Sequence, residues 1–333
     1  MAENAAVSRI VQIGPETTAG TSVAATKKLG SLNFMGSPDG EIQSFRAAGS
    51  KYPTVHAIGK ESMAFDVDSD APTFDELQYI LCGLIKNVTP SIVDTSGRSW
   101  VFAPTPDAED TRKTFTIEEG HSGASNAHKS AYGIPTSLSL EANRDGTKLK
   151  SNWIARQMAT ATLTASLSAL PQVPILGKDW GVYLDATSGG LGTTRLTRVS
   201  KITMDFSDLI SAAWFVDDSQ ASWTTHIETP PKCKVTLEME KDTNGMALLT
   251  PMRDSTFRYV RIENTSDTLA GASTAFYKLS LDFALQVSGL PKLSESDDLY
   301  VMEWEFEPTT DPAWGSAPGK PFQITLVNKQ ATL

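Results

Sequence analysis

Cysteine is scarce in this chain of 333 residues, which argues against a cysteine-based metal-binding protein and against a disulfide-rich protein. The two cysteines, Cys82 and Cys233, match no metal-binding spacing and cannot form a dense disulfide framework. We therefore expect free thiols, as in a protein made in a reducing cytoplasm. Long apolar runs are also missing, since no stretch approaches the ~20 residues that a membrane-spanning helix needs. Residues 1–6 lack the features of a secretory signal, so we expect no membrane anchor.

Basic residues are outnumbered, which argues against a protein that grips polyanions. The chain has 29 Lys and Arg against 39 Asp and Glu, a net charge of −10. Binding to nucleic acid or to an anionic membrane depends on cations that neutralise phosphates. We expect any double-stranded DNA near this protein to be tolerated rather than bound.

Catalytic and metal-binding constellations are lacking as well. The run Asp66, Asp68, Asp70 resembles the start of a calcium loop, but Ala71 and Leu77 stand where an EF-hand needs Gly and Glu. The histidines are scattered through predicted loops without a metal-binding motif: His56, His121, His128 and His226. We expect no enzyme activity, no metal and no cofactor.

The most informative feature that is present is a short strand followed by a helix. In residues 62–68 apolar and polar side chains alternate, which predicts a strand buried on one face. Thr73 then stands where a helix N-cap belongs, with Glu76 three residues later. Apolar residues follow at helical spacing, namely Phe74, Leu77, Ile80, Leu81 and Leu84.

The same unit recurs in the other half of the chain. Residues 234–240 alternate in the same way, and a predicted helix starts at Thr243. A second match pairs residues 137–141, Ser-Leu-Ser-Leu-Glu, with residues 278–282, Lys-Leu-Ser-Leu-Asp. Its offset differs from that of the first match by about thirty residues, a difference that insertions in surface loops permit. The pattern favours an internal duplication, with chance resemblance of half-buried strands as the alternative.

Strand patterns dominate the chain, so the predicted fold class is mainly β, with a small helix in each half. The composition of residues 1–30, rich in Ala, Thr, Ser and Gly, predicts an N-terminal arm. We place the first domain at 31–165, a linker at 166–180 and the second domain at 181–333. Residues 37–40, Ser-Pro-Asp-Gly, predict a turn.

Several segments together resemble a known family. The run 9–21, Arg-Ile-Val-Gln-Ile-Gly-Pro-Glu-Thr-Thr-Ala-Gly-Thr, with 24–26, Ala-Ala-Thr, resembles the start of major tail tube proteins of bacteriophages with long, non-contractile tails. Residues 59–62, Gly-Lys-Glu-Ser, 115–119, Phe-Thr-Ile-Glu-Glu, and the passage 170–185 agree in order. The resemblance therefore covers most of the chain.

The resemblance implies a structural protein of the virion tail, assembled in the host cytoplasm. Its subunits would stack as rings into a hollow tube that conducts the genome, and each domain would be a β-sandwich or partial barrel with a flanking helix. Implied partners are copies of itself, a tape measure protein, a tail terminator, and distal tail or baseplate proteins. Loops at 46–53 and 104–129 would reach neighbouring rings, as would the arm through Arg9, Ile10, Val11 and Ile13.

The duplication also predicts the symmetry of the ring. Many family members have one domain and form rings of six, so two homologous domains in one chain predict trimers with approximate sixfold symmetry. The channel must let DNA pass without binding it, which favours an acidic or neutral lining. Candidates for that lining lie on the polar face of each repeated strand, namely Asp66, Asp68, Glu238 and Glu240. An outer, solvated face is the alternative place for these four residues.

A rival interpretation is a β-sandwich binding module that recognises a glycan or a cell-surface ligand. Such a module would expose clustered aromatic side chains, and the candidates are Trp214, Phe215 and Trp223. Core packing explains these three residues about as well.

Overall fold

The computed structural model describes residues 8–121, 127–216, 221–272, 274–296 and 298–333. These ranges contain 22 strands and three α-helices, which confirms the mainly β fold class. The first half has β1 (Arg9–Pro15), β2 (Lys27–Lys28), β3 (Asn33–Phe45), β4 (Val55–Ser69), α1 (Phe74–Leu84), β5 (Ser91–Ile92), β6 (Arg98–Phe102), β7 (Phe115–His121), β8 (Ala127–Pro135), β9 (Leu138–Asn143), β10 (Thr147–Arg156) and β11 (Ala159–Ala161). The second half has β12 (Trp180–Asp185), β13 (Arg195–Leu196), β14 (Val199–Ser207), β15 (Ile210–Ala213), β16 (Thr225–Glu228), β17 (Lys232–Glu240), α2 (Thr243–Ala247), α3 (Leu249–Arg253), β18 (Arg258–Leu269), β19 (Phe276–Val287), β20 (Lys292–Ser296), β21 (Leu299–Pro308) and β22 (Phe322–Asn328).

Nearly all of these elements belong to two copies of one strand arrangement. The first copy comprises β1 to β4, α1 and β7 to β11; the second comprises β12 to β14, β17, α2, α3 and β18 to β22. Eight antiparallel pairings of the first copy are β1–β2, β1–β7, β3–β4, β4–β10, β7–β8, β8–β10, β8–β11 and β9–β10. Their counterparts are, in the same order, β12–β13, β12–β18, β14–β17, β17–β21, β18–β19, β19–β21, β19–β22 and β20–β21. The duplication predicted from the sequence is therefore present in the topology.

Only the first of the two sequence matches aligns the copies correctly. Residues 62–68 lie in β4 and residues 234–240 in β17, which are equivalent strands. Residues 137–141 lead into and run along β9, whose counterpart is β20, but residues 278–282 lie in β19. The second match was wrong because alternating Leu and Ser are common to half-buried strands and carry no register.

Two tryptophans give a better second anchor for the alignment. Trp153 of β10 lies opposite Phe65 of β4, and Trp304 of β21 lies opposite Leu237 of β17. Both indole rings are fully buried. Phe65 and Leu237 are equivalent positions, so the tryptophans are equivalent too.

The two copies pack as one unit. β9 of the first copy pairs with β14 of the second, and the C-terminal β22 pairs with β6. One hydrophobic cluster contains side chains from both copies, and it includes Leu170 and Ile175 from the predicted linker 166–180. Two ladders and a shared core therefore connect the two halves of the chain. The domain limits 31–165 and 181–333 stay predictions.

Helix α1 lies inside this unit rather than flanking it. All eleven of its residues are buried, although the sequence predicted one apolar face only. The polar face is covered by the end of β22 and the residues after it: Asn328 donates to the Gln78 side chain at 2.8 Å and Gln330 donates to Asp75 at 2.9 Å. In contrast, α2 and α3 bury only Gly245 and Pro251 between them.

The N-terminal segment forms β-strands that pair with the first copy. This corrects the expectation that residues 1–30 form an arm outside the core. β1 pairs with β7 along its whole length and with β2. Of the four proposed connector residues, Ile13 is fully buried, Val11 is buried, and Arg9 and Ile10 are half-buried. Arg9 forms an ion pair with Glu119 at 2.8 Å. A role of these residues between rings stays a prediction, and residues 1–7 lie outside the described residues.

Candidate functional site

One eight-stranded antiparallel sheet runs through both copies. Its strand order is β3, β4, β10, β9, β14, β17, β21, β20. In the part of the chain that the structure describes, β3 pairs only with β4 and β20 pairs only with β21. Each end of the sheet therefore presents an edge that can accept a further strand.

The ladder between β9 and β14 joins the two copies in the middle of this sheet. It runs from Leu138 opposite Phe206 to Asn143 opposite Lys201. β20 is the counterpart of β9, and β3 is the counterpart of β14. The open edge of β20 is therefore equivalent to the edge of β9 that pairs with β14, and the open edge of β3 to the edge of β14 that pairs with β9. The sheet is therefore complementary to itself in a head-to-tail sense.

The sheet has an apolar face on the core and a polar face on the opposite side. Side chains alternate between the faces, so the buried Phe65 and Leu237 fix the other parity as the polar face. All four residues predicted for a channel lining lie on that polar face: Asp66, Asp68, Glu238 and Glu240. The structure thus brings these residues onto one surface, and the role of that surface as a channel wall stays a prediction.

Three lysines on the polar face form ion pairs with carboxylates, whereas the exposed Lys148 and Lys150 of β10 lie opposite Glu141 and Asp68 in the ladders. Lys201 lies 3.2 Å from Glu141, across the ladder that joins the copies. Lys234 lies 3.0 Å from Glu305, and Lys292 also contacts that carboxylate. The two lysines lower the pKa of Glu305, chiefly through their hydrogen bonds to it. The face therefore presents ion pairs, two further lysines and additional acids rather than a basic stripe.

Comparisons with known proteins assign no family. No protein-family model matches the chain. No curated protein matches it in sequence. A function must therefore be argued from the chain's own surfaces.

The described residues offer no cluster of ligands for a metal ion. Among residues 8–121, 127–216, 221–272, 274–296 and 298–333, no group of three or more His, Cys, Asp or Glu could hold a metal ion. Cys82 and Cys233 are free, and burial raises the pKa of each thiol to about 12. No helix within the same ranges is long and apolar enough to cross a membrane.

The histidines lie on strands, which corrects their placement in loops. His56 is in β4, His121 in β7, His128 in β8 and His226 in β16. His226 is held near the Tyr132 hydroxyl, 3.2 Å from its Nδ1. Burial, and then the nearby Arg112, lower the pKa of His226.

The three aromatic residues of the rival binding module do not form one exposed cluster. Trp223 is fully buried, whereas Trp214 and Phe215 are exposed by 37% and 66%. The Trp223 ring stacks on Tyr132 with centroids 4.2 Å apart, and the Trp214 ring lies 5.2 Å from the Lys60 ammonium. Trp223 and Trp214 thus contact the first copy of the chain itself.

Proposed function

We propose that this chain is the structural subunit of a bacteriophage tail tube, in which three copies close each ring with approximate sixfold symmetry. The observation that carries the proposal is the β9–β14 ladder together with the open edges of β20 and β3. A surface that pairs head to tail inside one chain can pair in the same way between chains, and a ring results if the rotation closes.

The size of the closed sheet fits a channel for DNA. Three copies of the eight-stranded sheet make twenty-four antiparallel strands. With strands about 4.8 Å apart and tilted by about 40°, such a barrel has a backbone diameter of roughly 48 Å. After side chains on the inner face are subtracted, the channel remains wider than a B-form DNA duplex.

The polar face suits the wall of such a channel. Each phosphate that a free Lys or Arg neutralises adds to DNA affinity and slows transit. On this face Lys201, Lys234 and Lys292 form ion pairs with carboxylates. Lys148 and Lys150 are exposed opposite Glu141 and Asp68, while Asp66, Glu238 and Glu240 add negative charge. The face would repel DNA weakly rather than hold it.

The internal ladder also supplies the register of the ladder between chains. The alignment of β14 with β3 and of β9 with β20 places Ser37 of one chain opposite Ser296 of the next, equivalent to Thr203 opposite Glu141 inside the chain. Pro38 lacks an N–H and removes at most one hydrogen bond from this ladder.

Cysteine crosslinking tests the proposal. The double variant Ser37→Cys, Ser296→Cys should form disulfides between chains and yield covalent trimers under oxidation, because directly opposed residues lie within disulfide range. The matched control, Ser37→Cys with Ser294→Cys, places the thiols on a diagonal and should crosslink poorly. A chain that stays monomeric at all concentrations, with no crosslinked species, would refute the proposal.

A further inference from the structure

The second copy sends a hairpin onto the first copy. It is inserted between β14 and β17, and its described part comprises β15, residues 214–216, residues 221–224 and β16. Trp223, just before β16, is fully buried, and its Nε1 donates to the Ala155 carbonyl at 3.2 Å. Its ring stacks on Tyr132 of β8. The end of the hairpin is thus anchored by an aromatic side chain on strands of the first copy.

Polar contacts fix the same hairpin. Arg156 of β10 donates to the carbonyls of Trp223 and Thr224 at 3.0 and 2.7 Å. Arg112 forms an ion pair with Glu228 of β16 at 2.7 Å. A cation of the first copy therefore receives the backbone of the second copy's hairpin.

The equivalent hairpin of the first copy makes no such contacts at its end with the other described residues of its chain. It is formed by the end of β3 and the start of β4, and the alignment of residue 60 with residue 232 places Lys51 and Tyr52 where the second copy has Trp223 and Thr224. Its large apolar side chains are exposed by 52 to 68%: Ile42, Phe45, Tyr52, Val55 and Ile58. One hairpin is docked and its counterpart is free.

A groove lies where the free hairpin would dock on a second copy. The residues equivalent to Ala155 and Arg156 are Phe306 and Glu307 of β21. Beside them is a cavity of about 560 Å³. Its apolar lining includes Pro106, Pro230, Pro231, Pro308 and Phe322.

The charges of groove and hairpin are complementary. The charged residues that line the groove are Asp107, Glu109, Glu228, Glu307 and Arg112, and Arg112 is ion-paired with Glu228. The end of the hairpin, residues 45–55, contains Arg46 and Lys51 and no acidic residue. In the internal contact, the cation Arg156 lies on the receiving strand β10. The equivalent residue beside the groove is the anion Glu307, and the free hairpin supplies the cations.

We infer that the hairpin end of one chain, residues 45–55, docks in this groove on the second copy of the adjacent chain in the same ring. Tyr52 enters among the prolines, and Lys51 faces Glu307. The inference rests on the proposed ring, since the adjacent chain is the one whose β20 pairs with β3. It gives residues 46–53 a contact within the ring in place of the contact with a neighbouring ring that the resemblance implies.

Photo-crosslinking tests this contact at residue level. Tyr52 is replaced by p-benzoylphenylalanine in the full-length chain, and rings are irradiated. The expected product is a crosslink between chains to the groove, at Pro106, Pro230, Pro231 or Pro308. The same probe at Trp214 should crosslink within one chain, to residues around Lys60. Rings that form normally but crosslink Tyr52 elsewhere, or not at all, overturn the inference and leave the proposed function standing; absence of rings overturns both.

A charge exchange provides a second test. Lys51→Glu and Glu307→Lys should each raise the concentration needed for ring assembly, by about two- to fivefold for one ion pair. The double variant should return to within about twofold of the wild-type chain. If the double variant is as impaired as the two single changes combined, Lys51 does not face Glu307.

Discussion

At the scale of single residues, buried carboxylates accept the hydrogen bonds that fix the N-terminal segment. Glu76, in the first turn of α1, accepts hydrogen bonds from the backbone N–H groups of Gly30, Ser31 and Leu32 at 2.7, 3.0 and 2.9 Å. Thr73 is the N-cap residue as predicted, but its side chain makes no capping hydrogen bond. Glu76 therefore bonds to a distant segment instead of closing a capping box.

Removing the Glu76 carboxylate should be costly. Glu76→Ala leaves the backbone N–H of the buried Leu32 without a partner, which costs about 1–3 kcal/mol. It also removes the acceptor of the less buried Gly30 and Ser31 N–H groups. We expect a loss of about 2 kcal/mol or more in the free energy of unfolding, measured by urea denaturation. The exposed Asp70→Ala serves as the control and should change stability by less than about 0.5 kcal/mol. Equal stability of the two variants would contradict the assigned role.

Asp75 predicts a pH dependence. Burial raises the pKa of Asp75 to about 6, and the Gln330 and Tyr277 hydrogen bonds only partly oppose that shift. Because the folded-state pKa lies above the unfolded one, the folded state binds the proton more tightly, and stability falls as pH rises from about 4 to about 6. Asp75→Asn should therefore stabilise the chain by about 1–3 kcal/mol at pH 7.5 and by almost nothing at pH 4. A stability gain that does not depend on pH would contradict this explanation.

At the scale of elements, β1 is the segment whose predicted role changes most. Deleting residues 1–28 removes a strand paired along its length with β7, and it removes Glu16, which accepts hydrogen bonds from Thr114, Thr116 and the backbone of Tyr132. We expect that truncation to unfold the first copy, as circular dichroism and melting would report. Deleting residues 1–7 leaves β1 intact and should preserve the fold. A stable, monomeric 29–333 chain would restore the interpretation of residues 1–30 as an arm.

The sequence predicts elements better than it predicts their partners. Local alternation identifies β4 and β17, and the helix after Thr73, because side-chain periodicity is a local property. The pairing of β9 with β14 joins distant residues and leaves no mark in either strand. The turn expected at 37–40 was wrong, since β3 continues through these residues with an irregularity between Gly40 and Ile42. The predicted loop 104–129 likewise contains β7, and residues 122–126 of it lie outside the described residues.

Sequence reasoning selected four of the acidic residues on the polar face but missed the strand edges and the hairpin through which chains could assemble. The alternation of apolar and polar residues alone predicts that Asp66 and Glu238 lie on the polar face of their strands. The open edges of β3 and β20, and the hairpin contacts of Tyr132 and Arg156, depend on which strands are neighbours. The match of Trp153 with Trp304 was the available signal, because it aligns β10 with β21 and so reveals the equivalent edges.

At the scale of the whole molecule, the charge of the polar face should control the passage of DNA. Replacing Asp66, Asp68, Glu238 and Glu240 with Lys should leave ring assembly possible, because none of these four side chains lies in the core. DNA should then bind the tube wall at low salt and be released at high salt, and genome ejection should be impaired. Co-sedimentation of short duplex DNA with tubes at the two salt concentrations measures this. Normal ejection from tubes of the variant would exclude this face as the channel wall.

The number of chains in a ring tests the central claim most directly. Two equivalent copies in one chain, joined by a ladder whose counterparts lie open at both ends of the sheet, predict rings of three chains and a closed barrel of twenty-four strands. Cryo-electron microscopy of the assembled protein should show true threefold and approximate sixfold symmetry, with β20 of each chain paired to β3 of the next. Rings of six chains, or an assembly in which β3 and β20 remain unpaired, would contradict the account.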